Sequence, residues 1–371
     1  MKIGIDARFL GPEGTGLGRY VQELISNLEE LDKNNEYTIF LRRQNFDLYE
    51  PKNKNFKKIL ADARWYSLKE QIILPFIFSS QKLDLLHIPH FNIPVFYPGK
   101  IVVTIHDLIK SEFAGLSATT RAPSVYFLKH LGYELVIRIA VMRARKIFVP
   151  SKSIAKKLRE NFRVPGEKIA VTYEAASLVS SQFTVHSSQK ILAKYKIKKP
   201  YLLYVGNAYP YKNLDRLLLA LKKLPKKLSF VNPCSRSTFY DRLKNRAKEL
   251  GLAERVILSG YVPDENLVGL YKEAEAYIFP SLSEGFGIPG LDAMALGTPV
   301  VCSNIPTLKE IYGDAALYFD PYSASDLAEK IEKILQDQKL RQDLTEKGKK
   351  QVQIYSWHKM AETTLAAYQS S

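Results

Sequence analysis

Short β-branched runs alternate with amphipathic helical stretches through almost the whole chain, and the alternation lapses once and then restarts. No other feature limits the fold as much. Strand–helix–strand units pair their strands in parallel and cover both sheet faces with helices. In the first half the strand candidates are 2–6, 37–41, 83–88, 101–105, 146–149 and 169–173. Between the first two, Val21, Leu24, Ile25, Leu28 and Leu31 fall on one helical face. From Ala175 to Pro200 the period gives way to Ser-, Gln- and Lys-rich sequence. A second series follows at 201–205, 228–231, 256–258, 276–279 and 299–302, with helical stretches near 214–223, 240–250, 265–272 and 326–336. The pattern predicts an α/β protein of two doubly wound parallel-sheet domains, 1–175 and 200–354, with a linker at 176–199. A last helix within 355–371, N-capped by Ser356, is a candidate to pack back on the first domain.

Composition narrows the function class. A length of 371 residues suits two domains. Cys234 and Cys302 are too few for a disulfide framework and read as small buried hydrophobes in a reducing compartment. The histidines (His87, His90, His106, His130, His186 and His358) show no metal-ligand spacing. The N-terminus lacks the pattern of a signal peptide, and no apolar run approaches the ~18 residues a membrane span needs. The expectation is a cytoplasmic protein, at most peripheral at the inner face of the plasma membrane. Net charge is +16 but uneven: residues 51–250 hold 37 Lys and Arg against 12 Asp and Glu. A basic middle attracts phosphates or an anionic surface. Nucleic acid is not expected, because no zinc finger, RNP-like aromatic motif or Arg-rich arm is present.

Ligands of open parallel sheets bind beyond the carboxyl ends of the strands, so the loops after strands carry the chemistry. Residues 279–301 read strand, Gly-rich loop, short helix, Gly stop, strand. Pro289 fits the first helical position and Gly297 the C-terminal cap. Gly285 and Gly287 let backbone approach a ligand, and the following helix N-terminus offers N–H groups to a diphosphate. Glu284 can grip sugar hydroxyls. Asp292, placed in the helix's first turn, either offsets the dipole or holds a ligand. Lys212 stands at a helix start, a poor position for a cation unless an anion binds there. Asp264 is expected to N-cap the helix after the turn at 260–263. His106 ends a buried strand and either fills the core or faces a ligand. The loop 11–19, with Gly16, Gly18 and Arg19, can carry an anion or admit an acceptor. It does not match the dinucleotide fingerprint, since Arg19 and Val21 occupy the third-Gly positions.

The run Glu284-Gly285-Phe286-Gly287-x-Pro289, a second acid at 292, and Ala293-Met294-Ala295-x-Gly297-x-Pro299-Val300-Val301 resembles the group 1 retaining glycosyltransferases that include bacterial mannosyltransferases. The resemblance covers nearly the whole chain, is densest from Val205 to Ser303, and lies nearest the branch acting in cell-surface polysaccharide or glycolipid assembly. It implies the GT-B fold, two Rossmann-like domains facing across a donor-binding cleft. It also implies that Glu284 contacts the donor sugar and that Asp292 takes the place of a ribose-holding acid, usually Glu. Lys212 takes the place of a phosphate-binding Lys, Val262 and Pro263 line the nucleobase, and His106 lies beside the transferred sugar. Asn207 stands where the family often has Arg. Gly16, Gly285, Phe286 and Gly287 are assigned to the donor, Gly18 and Arg19 to the acceptor side.

The implied reaction moves a hexosyl unit, mannosyl favoured, from a nucleoside-diphosphate sugar to a hydroxyl acceptor with retention. GDP-mannose is the favoured donor; no metal or other cofactor is expected. The rivals are a non-catalytic nucleotide-sugar-binding protein, an epimerase and a Rossmann oxidoreductase. The segment 232–237 departs from the family pattern and reads as a repacked loop. A helix-like segment at 125–147 joins Tyr126, Phe127, Leu131, Leu135 and Val136 to Lys129, Arg138, Arg143, Arg145 and Lys146. It suits docking on an anionic membrane to reach a lipid-linked acceptor. The uncharged run 72–78 fits burial better.

Overall fold

The computed structural model describes the chain except residues 114, 116–122, 179–187 and 235–236. His186, Ser235 and Arg236 therefore lie outside the described residues. Two compact units emerge: Met1–Glu112 with Arg121–Glu174 and Ser356–Ser371, and Ala175–Tyr355 with Phe113–Thr120.

Unit 1 is built on a seven-stranded, all-parallel sheet of β1 (Lys2–Asp6), β2 (Glu36–Leu41), β3 (Phe56–Leu60), β4 (Leu85–Ile88), β5 (Ile101–Thr104), β6 (Ile147–Val149) and β7 (Ile169–Val171). Its order is β3-β2-β1-β4-β5-β6-β7, so the direction of winding reverses between β1 and β4. The helices are α1 (Thr15–Leu31), α2 (Leu68–Ser80), α3 (Ile109–Glu112), α4 (Pro123–Arg143) and α5 (Lys152–Phe162), with the C-terminal helix Trp357–Gln369 added from the far end of the chain. One core packs Ile3, Ile5, Val21, Leu24 and Leu28 with Tyr368; the other packs Phe40, Leu74, Phe78, Val103, Ile137 and Leu158. Ser356 accepts from the Lys359 amide, the N-cap its sequence position predicts. Tyr368 on this helix meets the wholly buried His87 at 2.5 Å, and burial pushes that imidazole down to about 3.

Unit 2 holds six parallel strands, β8 (Tyr201–Leu203), β9 (Ser229–Pro233), β10 (Val256–Gly260), β11 (Ala276–Phe279), β12 (Val300–Ser303) and β13 (Ala316–Phe319), in the order β10-β9-β8-β11-β12-β13. Here the winding reverses between β8 and β11. The helices are α6 (Ser188–Lys194), α7 (Leu214–Leu221), α8 (Thr238–Glu249), α9 (Asp264–Glu273), α10 (Ile288–Ala295), α11 (Pro306–Tyr312), α12 (Ala324–Gln336) and α13 (Gln338–Val352).

Several local expectations change. Strands β3 and β13 were not visible in the sequence. The stretch read as linker contains α6, whose Ile191 packs so closely on α9 that a Cβ at Gly269 would sit 2.6 Å from its Cδ1. Asp264 is the first residue of α9 rather than its N-cap, a place taken by Pro263. Helix α10 begins at Ile288, which puts Pro289 second and Asp292 beyond the first turn, so dipole compensation does not explain Asp292. The run 72–78 lies in α2, where a helix cannot bury every side: Leu74 and Phe78 are buried, but Ile72 and Phe76 are exposed. Cys234 and Cys302 are buried free thiols. Among the described residues no helix is long and apolar enough to cross a membrane.

Candidate functional site

In unit 2 the loops that leave β8 and β11 lie on either side of the winding reversal, where an open sheet leaves a crevice. Backbone and amide bonds sew these loops together. The Leu282 amide donates to the Tyr211 carbonyl at 2.8 Å. Asn213, in the left-handed region at φ 57°, donates through Nδ2 to the carbonyls of Pro280 (3.0 Å) and Pro321 (2.8 Å). This bracing brings Lys212 Nζ to 2.6 Å from Glu284 Oε1, with both side chains mostly buried. The ammonium also lies over the rings of Tyr211 and Phe279. One grip thus offers a cation for phosphate oxygens and a carboxylate for hydroxyls. Asn207 sits half-buried in the same loop, its carbonyl accepting from the Tyr204 hydroxyl.

Other residues of the Gly-rich motif are explained by packing. Phe286 is buried with its ring edge-on to Tyr355, so its side chain is a core contact. Gly287 has φ 112°, and a Cβ there would lie 2.4 Å from the Tyr312 hydroxyl, which donates to the Gly287 carbonyl. Gly285 is left half-buried at the mouth of the loop, ahead of the α10 amides. The Val262 side chain is in the core; beside it Pro263 caps α9 and Tyr261 is exposed. Asp292 is buried, and its Oδ1 accepts from the amides of Ser177 (2.6 Å) and Leu178 (2.8 Å). It pins a backbone segment distant in sequence.

In unit 1, His106 follows β5 and is partly exposed rather than in the core. Its Nδ1 lies 2.9 Å from Glu174 Oε1 and its Nε2 3.3 Å from the Pro89 carbonyl. The Tyr20 ring meets the imidazole edge-on at 4.6 Å. Beneath it runs a buried chain from Tyr20 to Thr104 to His87 to Tyr368. Sequence reasoning missed Glu174, whose partner is 68 residues away and only the fold unites them. On α1 the three expected residues separate. Gly18 is buried, and a Cβ there would come within 2.2 Å of the Gly11 carbonyl oxygen. Its missing side chain serves the packing of α1 on loop 9–11. Gly16 is exposed with open space around it, and Arg19 is half-buried.

Comparison with known proteins agrees with this layout. Residues 187–351 match the family described as glycosyl transferases group 1, and residues 14–177 match glycosyltransferase family 4. The chain is 30% identical to O-antigen chain mannosyltransferase B of Escherichia coli across 95% of this chain and 96% of that one. It is 25% identical to O-antigen chain mannosyltransferase RfbU of Salmonella typhimurium, covering 84% and 85% of the two chains. Among solved structures, sucrose-phosphate synthase from Thermosynechococcus elongatus superposes with a TM-score of 0.80 at 20% identity, covering 100% of this chain and 98% of that one. Anabaena HepE in complex with UDP-glucose gives 0.76 at 15% identity, with both chains fully covered.

Proposed function

This chain belongs to the group 1 glycosyltransferases and has their GT-B fold; from that premise we propose that it transfers a mannosyl unit from GDP-mannose to a hydroxyl acceptor in cell-surface polysaccharide assembly, with retention. The carrying observation is the Lys212–Glu284 pair over the winding reversal of unit 2, ahead of the α10 amides. A departing diphosphate and a cationic sugar ring must both be stabilised in an oxocarbenium-like transition state. Lys212 and the amides around Gly285–Gly287 take the phosphates, and Glu284 orients the sugar through its hydroxyls. Asp292 serves the ribose side of the nucleotide, its charge shared with the two amides it pins. His106, held by Glu174, positions a hydroxyl of the transferred sugar. The leaving phosphate accepts the acceptor's proton on the same face, with the protein's cation and amides in place of a metal. The mannosyltransferase relatives support the sugar.

The test is a panel of GDP-mannose, UDP-glucose and ADP-glucose, read by thermal shift and by slow hydrolysis without acceptor. GDP-mannose is expected to give the largest shift and to release mannose first as the α-anomer by proton NMR. A β-anomer contradicts retention. A shift without hydrolysis or transfer favours a binding protein.

We further propose that unit 1 docks on an anionic membrane surface. On α4, Phe127, Leu128, Leu131, Leu135 and Met142 are all exposed at helical spacing, more apolar surface than solubility requires. Two of the expected basic contacts change role. Arg143 donates to the carbonyls of Val95 and Tyr97, and Lys146 to that of Glu167, so both brace the fold. Lys129, Arg138 and Arg145 remain exposed for lipid. Co-sedimentation with anionic vesicles should fade with salt and drop in Leu131→Glu/Leu135→Glu; equal indifference to anionic and neutral vesicles contradicts docking.

A further inference from the structure

We propose that the loops over the winding reversal of unit 1 form a saccharide-binding site in which Tyr66 and Lys110 seat the sugar acceptor. The inference rests on the glycosyl-transfer reading and adds the chemistry by which the acceptor is recognised. Phe9 follows β1, Trp65 and Tyr66 follow β3, His90 and Phe91 follow β4, and Lys110 follows β5 on α3. Their rings converge: Phe9 stacks on Trp65 at 4.4 Å and meets His90 at 4.9 Å, which in turn meets Phe91 at 4.1 Å. Trp65 is covered by Phe9 and by the Arg42 guanidinium 4.9 Å from its centroid, so it is foundation rather than platform.

Tyr66 differs. The residue is 52% exposed, and its backbone sits at φ 59°, a region costly for a bulky side chain. A buried network enforces that conformation. Glu70 Oε1 accepts the Tyr66 amide at 2.8 Å, Asn92 donates to the same oxygen, and Arg8 holds Glu70 Oε2 at 3.0 Å while forking onto Asp6. Such bracing of an exposed aromatic residue marks a place where surface shape matters.

The hydrogen bonds then assign the protons. The Asn92 amide donates to His90 Nδ1 at 3.0 Å, so a neutral His90 carries its proton on Nε2 and donates it to the Tyr66 hydroxyl oxygen at 3.2 Å. Burial and the nearby Lys110 charge keep His90 neutral. Lys110 Nζ donates to that same oxygen at 3.2 Å and is steadied over the rings of Tyr66, Phe91 and Tyr133. With two donors on its oxygen, Tyr66 has its own O–H proton to give to a ligand. The site therefore presents two fixed donors beside a partly exposed tyrosine. Sugar hydroxyl and ring oxygens accept from the donors, and a pyranose C–H face packs on the ring. Burial first, and then the Asp107 and Glu70 carboxylates, hold the Tyr66 hydroxyl above its ordinary range, so it stays protonated as a donor. His106 Nε2 lies 3.3 Å from the carbonyl of Pro89, the residue before His90.

The test uses saturation-transfer NMR on the full chain with the methyl glycosides of mannose, glucose and N-acetylglucosamine, and inorganic phosphate as competitor. At least one glycoside should bind, about tenfold more weakly to Tyr66→Ala and Lys110→Ala. Tyr66→Phe, which keeps the ring and loses the donor, should fall between wild type and Tyr66→Ala, with unchanged melting temperature as the check on folding. No binding of any glycoside, binding indifferent to Tyr66, or displacement by phosphate overturns the proposal. Hydrolysis of GDP-mannose, measured alongside, separates the two readings. If it persists while the glycosides fail, only the acceptor site is wrong; if it is absent, the transfer reading itself fails.

Discussion

The two units use the same device differently. Each parallel sheet reverses its winding once, β1 against β4 in the first and β8 against β11 in the second, and each reversal leaves a crevice at the strand ends. Over the second crevice stand a Lys–Glu pair, a glycine turn and a helix N-terminus, groups suited to a charged, compact diphosphate. Over the first stand Phe9, Trp65, Tyr66, His90 and Phe91 with a single ammonium, underlain by the wholly buried Arg8 between Asp6 and Glu70. Topology fixes where a ligand can sit, and the loops decide what kind of ligand it is.

The division of labour can be broken from the unit 1 side first. Arg8→Met leaves two carboxylates buried without their cation and should cost about 3–5 kcal/mol, seen as a separate early transition in calorimetry. GDP binding by unit 2 should survive above that early transition; its loss there would mean the units are not independent. Glu284→Gln should lower turnover by about 10²–10³-fold while GDP affinity, measured by calorimetric titration, moves less than about threefold. A parallel fall in both would make Glu284 a nucleotide contact and undo its assignment to the sugar.

Acid should separate the units next. All described histidines lie in unit 1. His87 has a folded-state pKa near 3, depressed by burial, against 6.5 unfolded. Below pH 6.5 the unfolded chain takes up a proton that the folded one refuses, so stability is full above 6.5 and is lost as pH falls toward 3. Between 6.5 and 4.5 this costs on the order of 2–3 kcal/mol. Urea midpoints across that range should fall, and the fall should shrink in His87→Gln; an unchanged slope would show that His87 is not the group responsible. The smallest expected effect is at Glu174. Glu174→Gln should reduce turnover about tenfold with donor KM and melting temperature unchanged, because the imidazole loses its charged anchor. Full activity would leave Glu174 without a positioning role.

Much of this was legible in the sequence because buried parallel strands are continuous apolar runs, and 276–279 is found where the pattern puts it. Edge strands hide. In β3, an edge of the first sheet, the side chains of Lys57 and Lys58 interrupt the run, and β13, an edge of the second, is only partly buried at Leu317 and Tyr318. The site divides the same way. Lys212 and Glu284 carry local signals, a cation at a helix start and an acid before glycines. Glu174, Tyr66 and Lys110 carry none, since their partners are supplied by loops 68, 24 and 44 residues distant. Phe286 and Gly18 belong to motif-like segments, and each also has a packing role that the motif alone does not reveal.

The loops over the unit 2 reversal are proposed to hold the donor's diphosphate. Titration of Lys212→Ala with GDP and with guanosine tests this most directly. Loss of one charge-assisted contact of about 1.5–3 kcal/mol predicts roughly tenfold to hundredfold weaker GDP binding, with guanosine unaffected. Unchanged GDP affinity, or an equal loss for guanosine, would remove Lys212 from the phosphates and contradict the account.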